Sequence, residues 1–194
     1  MERIQREDDG GVMGVMNQDE REFVVGELRA SEARLVEGVR GVTAAQARFR
    51  TGPERWSIAE VLEHLVVWED FMLSAVQGAL EGPTEPEKRA AVAGKDALVL
   101  GLAASRDKPL QSREAARPTG RWSDVGEMLE EFRARRARTL EFAESTQADL
   151  RSHFFAHVAF GDLDCYQWLV AMGQHTLRHV AQIEEIRRDA AWPN

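Results

Sequence analysis

The sequence predicts an all-α protein: a four-helix bundle with a long crossover between its second and third helices. Four long segments carry apolar residues at helical spacing, and side chains that can cap a helix stand before them. Nowhere does the chain show the regular polar and apolar alternation of a half-buried strand. Residues 82–120, which contain four prolines, form the predicted crossover, with a short helical piece at residues 90–104.

The first helix is predicted to begin between residues 17 and 19, where polar side chains can cap it, and to end near Gly41. Residues 1–17 mix acidic residues, glycine and methionine without periodicity, so we expect a flexible arm there. The bundle domain is therefore assigned to residues 18–190, followed by a tail at residues 191–194.

The second helix has the strongest start signal. Ser57 and Glu60 have the spacing of a capping box, in which each side chain accepts a hydrogen bond from the other residue's backbone amide. Trp56 precedes the cap as part of a hydrophobic staple. The helix is predicted to run to about residue 80, and its many apolar residues indicate that it is mostly buried. His64 lies within it.

The third helix is expected to open in the same way, because Arg121-Trp122-Ser123 repeats Arg55-Trp56-Ser57 and makes Ser123 the predicted cap. Its four arginines alternate with glutamates three or four residues away, which is typical of a solvated face. These arginines are Arg133, Arg135, Arg136 and Arg138. After a predicted loop at residues 147–162, the fourth helix is expected at about residues 163–189.

The composition of the chain excludes several classes of function. A net charge of -8 argues against a nucleic-acid partner. The single cysteine, Cys165, excludes an internal disulfide and a multi-cysteine zinc site, and we expect it to be an inert core thiol. The charged N-terminus does not resemble a signal peptide, and no apolar run approaches the roughly 20 residues of a membrane span. The expectation is a cytoplasmic protein without a membrane partner.

Three histidines in the predicted buried helices are the candidates for a metal site. His175 and His179 are four residues apart, so they lie on one helix face about 6 Å apart by rise and can bind one ion. His64 can complete a set of three, which leaves coordination positions open, as in catalytic sites. The alternative is a core histidine satisfied by a backbone carbonyl, the usual case. Thr176 follows His175 where the metalloprotease helix needs glutamate, which excludes that class.

Three motifs follow one another in order along the chain. They are Trp56-Ser57-x-x-Glu60-x-x-x-His64-Leu65, then Gly161 with Gln167-Trp168-Leu169, then His175-x-x-Arg178-His179-x-x-Gln182-Ile183. Together they resemble the DinB/YfiT-like superfamily of metal-dependent enzymes over about residues 19–189. The resemblance implies an up-down-down-up bundle, a divalent ion (zinc or nickel) on His64, His175 and His179, and frequent homodimers.

The resemblance also implies a function. In such enzymes the metal activates a thiol or a water molecule, either for S-transfer with a low-molecular-weight thiol or for hydrolysis, on a small-molecule substrate. The alternative is a non-catalytic DinB-like protein that acts as a metal-binding or stress-related interaction module. His157 precedes Gly161 where relatives often carry a histidine, so it is a candidate acid or base, although an exposed loop histidine is the other interpretation. Glu60 can orient a histidine or simply complete the capping box, and Gln182 can donate to a bound water or can pack or form a hydrogen bond between helices.

Overall fold

The computed structural model describes residues 14–102, 116–122 and 124–193. Over these ranges the helices are α1 (Gln18–Gly38), α2 (Ala44–Arg48), α3 (Ile58–Leu80), α4 (Arg89–Val92), α5 (Asp96–Leu100), α6 (Val125–Ser145) and α7 (Cys165–Arg187). Two 3₁₀ turns, Pro86–Lys88 and Ala93–Lys95, flank α4. The four long helices α1, α3, α6 and α7 form the predicted four-helix bundle. None of the helices in these ranges has the length and apolar character needed to cross a membrane.

The helix directions give the up-down-down-up order. Helices α1 and α7 run parallel, whereas α1 with α6, and α3 with α7, run antiparallel. The contacts that set these directions are Arg187–Gly38 for α1 and α7, Arg21–Thr146 for α1 and α6, and Cys165–Val76 for α3 and α7. Helices α3 and α6 are therefore parallel to each other, which requires the chain to cross the length of the bundle between them. The predicted crossover is confirmed.

A buried polar layer divides the apolar core into two clusters. One cluster includes Leu28, Met72 and Leu169, and the other includes Leu35, Leu62 and Ile183. The polar layer between them takes residues from all four long helices: Ser31, Glu69, Arg136, Thr139 and Thr176, each no more than 1% exposed.

The centre of this layer is an ion pair. Arg136 donates to both carboxylate oxygens of Glu69, at 2.7 and 2.9 Å, and also to the hydroxyls of Ser31 and Thr176. The prediction that Arg136 belongs to a solvated face was wrong. It was misplaced because its partner comes from another helix, and the local pattern of charges shows only the neighbours in its own helix.

A small hairpin corrects the prediction of a loop at residues 147–162 and of a chain without strands. Strands β1 (Phe154–His157) and β2 (Gly161–Asp164) pair antiparallel, with Phe155 opposite Leu163. Gly161, the first residue of β2, has φ +66°, a conformation that other residues rarely adopt, and it allows the chain to turn from β1 into β2. Strands of four residues are too short for periodicity to reveal them.

Capping explains most helix starts. The predicted capping box of α3, at Ser57, is present, and Asn17, within the predicted start of α1, caps that helix and forms a capping box that was not predicted. Helix α7 begins at Cys165, capped by Asp164, and the short helix α2 was not predicted. Helix α6 is capped by Asp124, whose side chain accepts from the Glu127 amide; the predicted cap, Ser123, lies outside the described residues.

The two least regular predictions fall partly outside the described ranges. Of the predicted arm, residues 1–13 lie outside them, whereas Val15 pairs with Asp149 and Met16 is buried against the bundle. Of the predicted helical piece at residues 90–104, the structure shows the short helices α4 and α5. The remainder, residues 103 and 104, is not among the described residues.

Candidate metal centre

Three histidines converge where helices α3 and α7 face each other. His64 lies in the second turn of α3, and His175 and His179 lie one turn apart in α7. One nitrogen from each ring lies within 4.8 Å of the other two. The ring planes are inclined to one another by 55–67°. Within the described ranges this is the one group of three or more histidine, cysteine or carboxylate side chains close enough together to hold an ion.

His64 is held in the tautomer that a metal ligand needs. Its Nδ1 lies 2.6 Å from the carbonyl oxygen of Ala116. A carbonyl oxygen only accepts, so Nδ1 carries the proton and donates it. The lone pair of the neutral ring is then on Nε2, which lies 3.3 Å from Nε2 of His175. The backbone contact thus directs the free nitrogen of His64 into the cluster.

His179 is oriented in a similar way by Gln182, one turn further along α7. Nδ1 of His179 lies 2.9 Å from the side-chain carbonyl oxygen of Gln182. The glutamine therefore acts as a hydrogen-bond acceptor for a histidine, a role that neither of the interpretations from the sequence included. Trp56 covers this side of the cluster, with its ring 5.0 Å from that of His64 and 6.3 Å from that of His179.

His175 differs from an ordinary core histidine. The Trp68 ring stacks on it at 3.7 Å between centroids. Nδ1 of His175 is buried and has no hydrogen-bond partner among the described residues. An unsatisfied buried polar group costs about 1–3 kcal/mol. An ion held among the three rings would bind Nε2 of His175, which faces His64, so it would leave Nδ1 without a described partner as well.

The electrostatics keep the imidazoles neutral. Burial lowers the pKa of His64 and outweighs the carbonyl oxygen of Ala116, which favours the protonated ring. The pKa of His175 lies well below its ordinary value, first because the ring is buried and then because His179 and His64 carry positive charge when protonated. Neutral imidazoles are the form that binds metal, so both rings are ready to act as ligands at physiological pH.

One pair of donors has the spacing that a divalent ion needs. Two nitrogens bound to one tetrahedral ion at about 2.0–2.1 Å lie roughly 3.3 Å apart. The separation of the Nε2 atoms of His64 and His175 is 3.3 Å. Three imidazoles are also a donor set that zinc and its neighbours in the first transition row accept, and they leave further positions for small ligands.

Glu63 is a neighbour of the centre that the sequence did not single out. The residue is 2% exposed, and its carboxylate accepts hydrogen bonds from residues 119–121. Burial raises the pKa of this carboxyl, but the hydrogen bonds outweigh burial and hold the pKa below its ordinary value. The signal in the sequence was an acidic residue within a mostly apolar helix, directly before His64.

The other candidates lie around this centre. Glu60 completes the capping box with Ser57, so the capping interpretation is confirmed. His157, at the end of β1, is half-buried and stacks on Phe160, and its Nδ1 accepts from the Ala159 amide.

Two further side chains of α7 are buried, Arg178 beside the histidines and Cys165 at the start of the helix. Arg178 donates to the Leu102 carbonyl oxygen, and its charge contributes to the low pKa of His175. Cys165 is fully buried, which confirms its predicted place in the core, and burial raises the pKa of its thiol to about 12.

Comparisons with known proteins identify the family and the fold. The sequence model of the DinB superfamily matches residues 27–183. The uncharacterized protein YuaE of Bacillus subtilis strain 168 is 25% identical over 159 residues, which cover 81% of this chain and 94% of YuaE. The structure of YfiT from Bacillus subtilis, "a probable metal-dependent hydrolase with an unusual four-helix bundle topology", has a TM-score of 0.55 and 15% identity. The structural match covers 92% of this chain and 91% of YfiT.

Proposed function

This chain belongs to the DinB superfamily, and we propose that it is a metal-dependent enzyme acting on a small molecule. The observation that carries the proposal is the convergence of His64, His175 and His179, with two of the three rings oriented by carbonyl oxygens. The description of its structural neighbour YfiT as a probable metal-dependent hydrolase supports the same class of reaction.

In this proposal the three histidines hold a divalent ion, zinc or nickel, through one nitrogen each. When bound, such an ion lowers the pKa of a water or thiol ligand and so provides a nucleophile near neutral pH. The protein's part is to orient two of the imidazoles through Ala116 and Gln182, while burial keeps His64 and His175 neutral. The rings of Trp56 and Trp68 cover the histidines and limit access of bulk water.

His157 is the proposed acid or base at this site. Its Nδ1 is already occupied as an acceptor from the Ala159 amide, so the proton of the neutral ring is placed on Nε2. That nitrogen is then the one that can give a proton to a leaving group. His157→Gln is expected to lower turnover while leaving metal content unchanged, and equal turnover would remove His157 from the proposal.

Metal content tests the proposal. Protein purified without a metal-affinity tag is analysed by elemental mass spectrometry, as wild type and as the single variants His64→Ala, His175→Ala and His179→Ala. We expect about one divalent ion per wild-type chain and its loss in each variant. His153→Ala is the matched control, because His153 is equally buried but bonds to the Ala79 carbonyl oxygen, away from the cluster. A wild type that binds neither zinc nor nickel after dialysis would refute a metalloenzyme.

The nucleophile is tested separately on the metal-loaded protein. Hydrolysis of ester and amide substrates without added thiol supports a water nucleophile, which the description of YfiT favours. Activity that appears only with a low-molecular-weight thiol supports S-transfer instead. Metal binding without either activity would favour the alternative, a non-catalytic metal-binding or interaction module.

A further inference from the structure

We infer that Glu63 is a positioning residue for His64, acting through the short segment of residues 116–122. The inference deepens the proposed function and rests on it, because it concerns how one metal ligand is held. Nothing in the motifs of the chain assigns a role to Glu63.

The carboxylate of Glu63 is the anchor of this segment. Three consecutive backbone amides point at it: Thr119 at 2.8 Å, Gly120 at 2.9 Å and Arg121 at 3.2 Å. The hydroxyl of Thr119 donates to it as well, at 2.9 Å. Gly120 has φ +81°, and a left-handed residue in such a run turns successive amides towards one anion.

The same segment supplies the oxygen that orients His64. Ala116 lies three residues before Thr119, and its carbonyl oxygen accepts the Nδ1 proton of His64 at 2.6 Å. Pro118, between them, has a fixed φ and limits how far the two ends can move apart. The hydrogen bonds described between this segment and α3 thus all involve two adjacent residues of the helix, Glu63 and His64.

This connection gives Glu63 an effect on the metal ligand that it does not touch. If the carboxylate is lost, three backbone amides lose their shared acceptor and the position of the Ala116 carbonyl is no longer fixed. His64 can then place its proton on Nε2, which removes the lone pair that faces His175. Residues that orient a metal-bound histidine typically change metal affinity by about 10–100-fold when mutated.

The test is Glu63→Gln, which keeps the size of the side chain but replaces one acceptor oxygen by a donor. The tautomer of His64 is read from the ¹⁵N shifts of its ring in the metal-free protein, and zinc affinity from competition with a chromophoric chelator. We expect the Nε2–H tautomer to increase and zinc affinity to fall roughly 10–100-fold. The control is Glu69→Gln, which removes an equally buried carboxylate from α3 without touching residues 116–122.

A second pair of variants changes the backbone of the segment instead of the carboxylate that it binds. An added Cβ at Gly120 or at Gly41 would meet no atom within 4 Å, and both have positive φ, at +81° and +71°. Gly120→Ala and Gly41→Ala therefore introduce similar backbone strain and no clash. Only Gly120→Ala is expected to shift the tautomer of His64.

Two results would overturn the inference. One is a wild-type tautomer and a zinc affinity within twofold of wild type in Glu63→Gln. The other is the same shift in the Glu69→Gln control, which would indicate general loosening of the bundle. A wild type that binds no zinc would refute the proposed function instead, and the tautomer comparison in metal-free protein would still decide the role of Glu63.

Discussion

Removing Arg136 should be one of the most destabilising single changes in the bundle. Its guanidinium is fully buried and donates to Glu69, Ser31, Thr176 and the Leu28 carbonyl oxygen. Arg136→Met keeps an apolar stem of similar length but leaves the Glu69 carboxylate buried without its cation. Breaking a buried ion pair in this way costs about 3–5 kcal/mol, because one charge remains uncompensated.

The loss of stability in Arg136→Met can be expressed as a shift of the urea unfolding midpoint. In Arg136→Met, Glu69 retains only the Thr139 hydroxyl among its described donors. With a urea dependence near 2 kcal/mol per molar for a domain of this size, the unfolding midpoint should fall by roughly 1.5–2.5 M. Circular dichroism at 222 nm during urea titration measures it. The double variant Arg136→Met with Glu69→Leu removes both charges and should recover most of the lost stability.

The control lies two residues away in the same helix. Arg138 pairs with Asp70, but the two side chains are 58% and 43% exposed. Arg138→Met should therefore change the free energy of unfolding by no more than about 1 kcal/mol. The reasoning would be refuted if Arg136→Met and Arg138→Met shifted the midpoint equally, or if the double variant were less stable than Arg136→Met alone.

Three further predictions follow from the same structure. The pKa values of His64 and His175 are lower in the folded protein than in the unfolded chain. The unfolded chain therefore takes up more protons as pH falls through about 6.5, and the metal-free protein should lose stability below that pH; urea midpoints equal at pH 7.5 and 5.5 would contradict this. Ser57→Ala should cost about 1 kcal/mol by urea titration through the lost cap of α3, and a midpoint equal to wild type would show the cap to be dispensable. Cys165, whose thiol pKa is raised to about 12, should react with a disulfide reagent at pH 8 only after denaturation, and rapid native-state reaction would show that the thiol is accessible.

The bundle could be predicted because the features that mark its helices involve residues close together in the sequence. The capping side chain of α3, Ser57, and the helical spacing of apolar residues depend on residues a few positions apart, so sequence alone marks the long helices to within a few residues at each end. The hairpin was missed because each of its strands has four residues. The polar layer was missed because Arg136 finds Glu69 across 67 positions of chain.

The three histidines of the candidate centre were predictable for a different reason. The i, i+4 spacing of His175 and His179 places them on one helix face, and the motif around His64 supplies the third residue. What holds the rings could not be predicted, because the partners are a backbone carbonyl at Ala116 and a side-chain oxygen at Gln182. Every residue has a carbonyl group, so only the path of the crossover determines which one reaches His64.

X-ray absorption spectroscopy of the zinc-loaded protein tests the central claim most directly. We expect a first shell with three imidazole nitrogens at about 2.0–2.1 Å, together with a light oxygen or nitrogen ligand and no sulfur from the protein. His64→Ala should reduce the imidazole count by one. A shell made only of oxygens, or a sulfur at about 2.3 Å in protein prepared without thiols, would place the ion elsewhere and contradict the assignment of His64, His175 and His179.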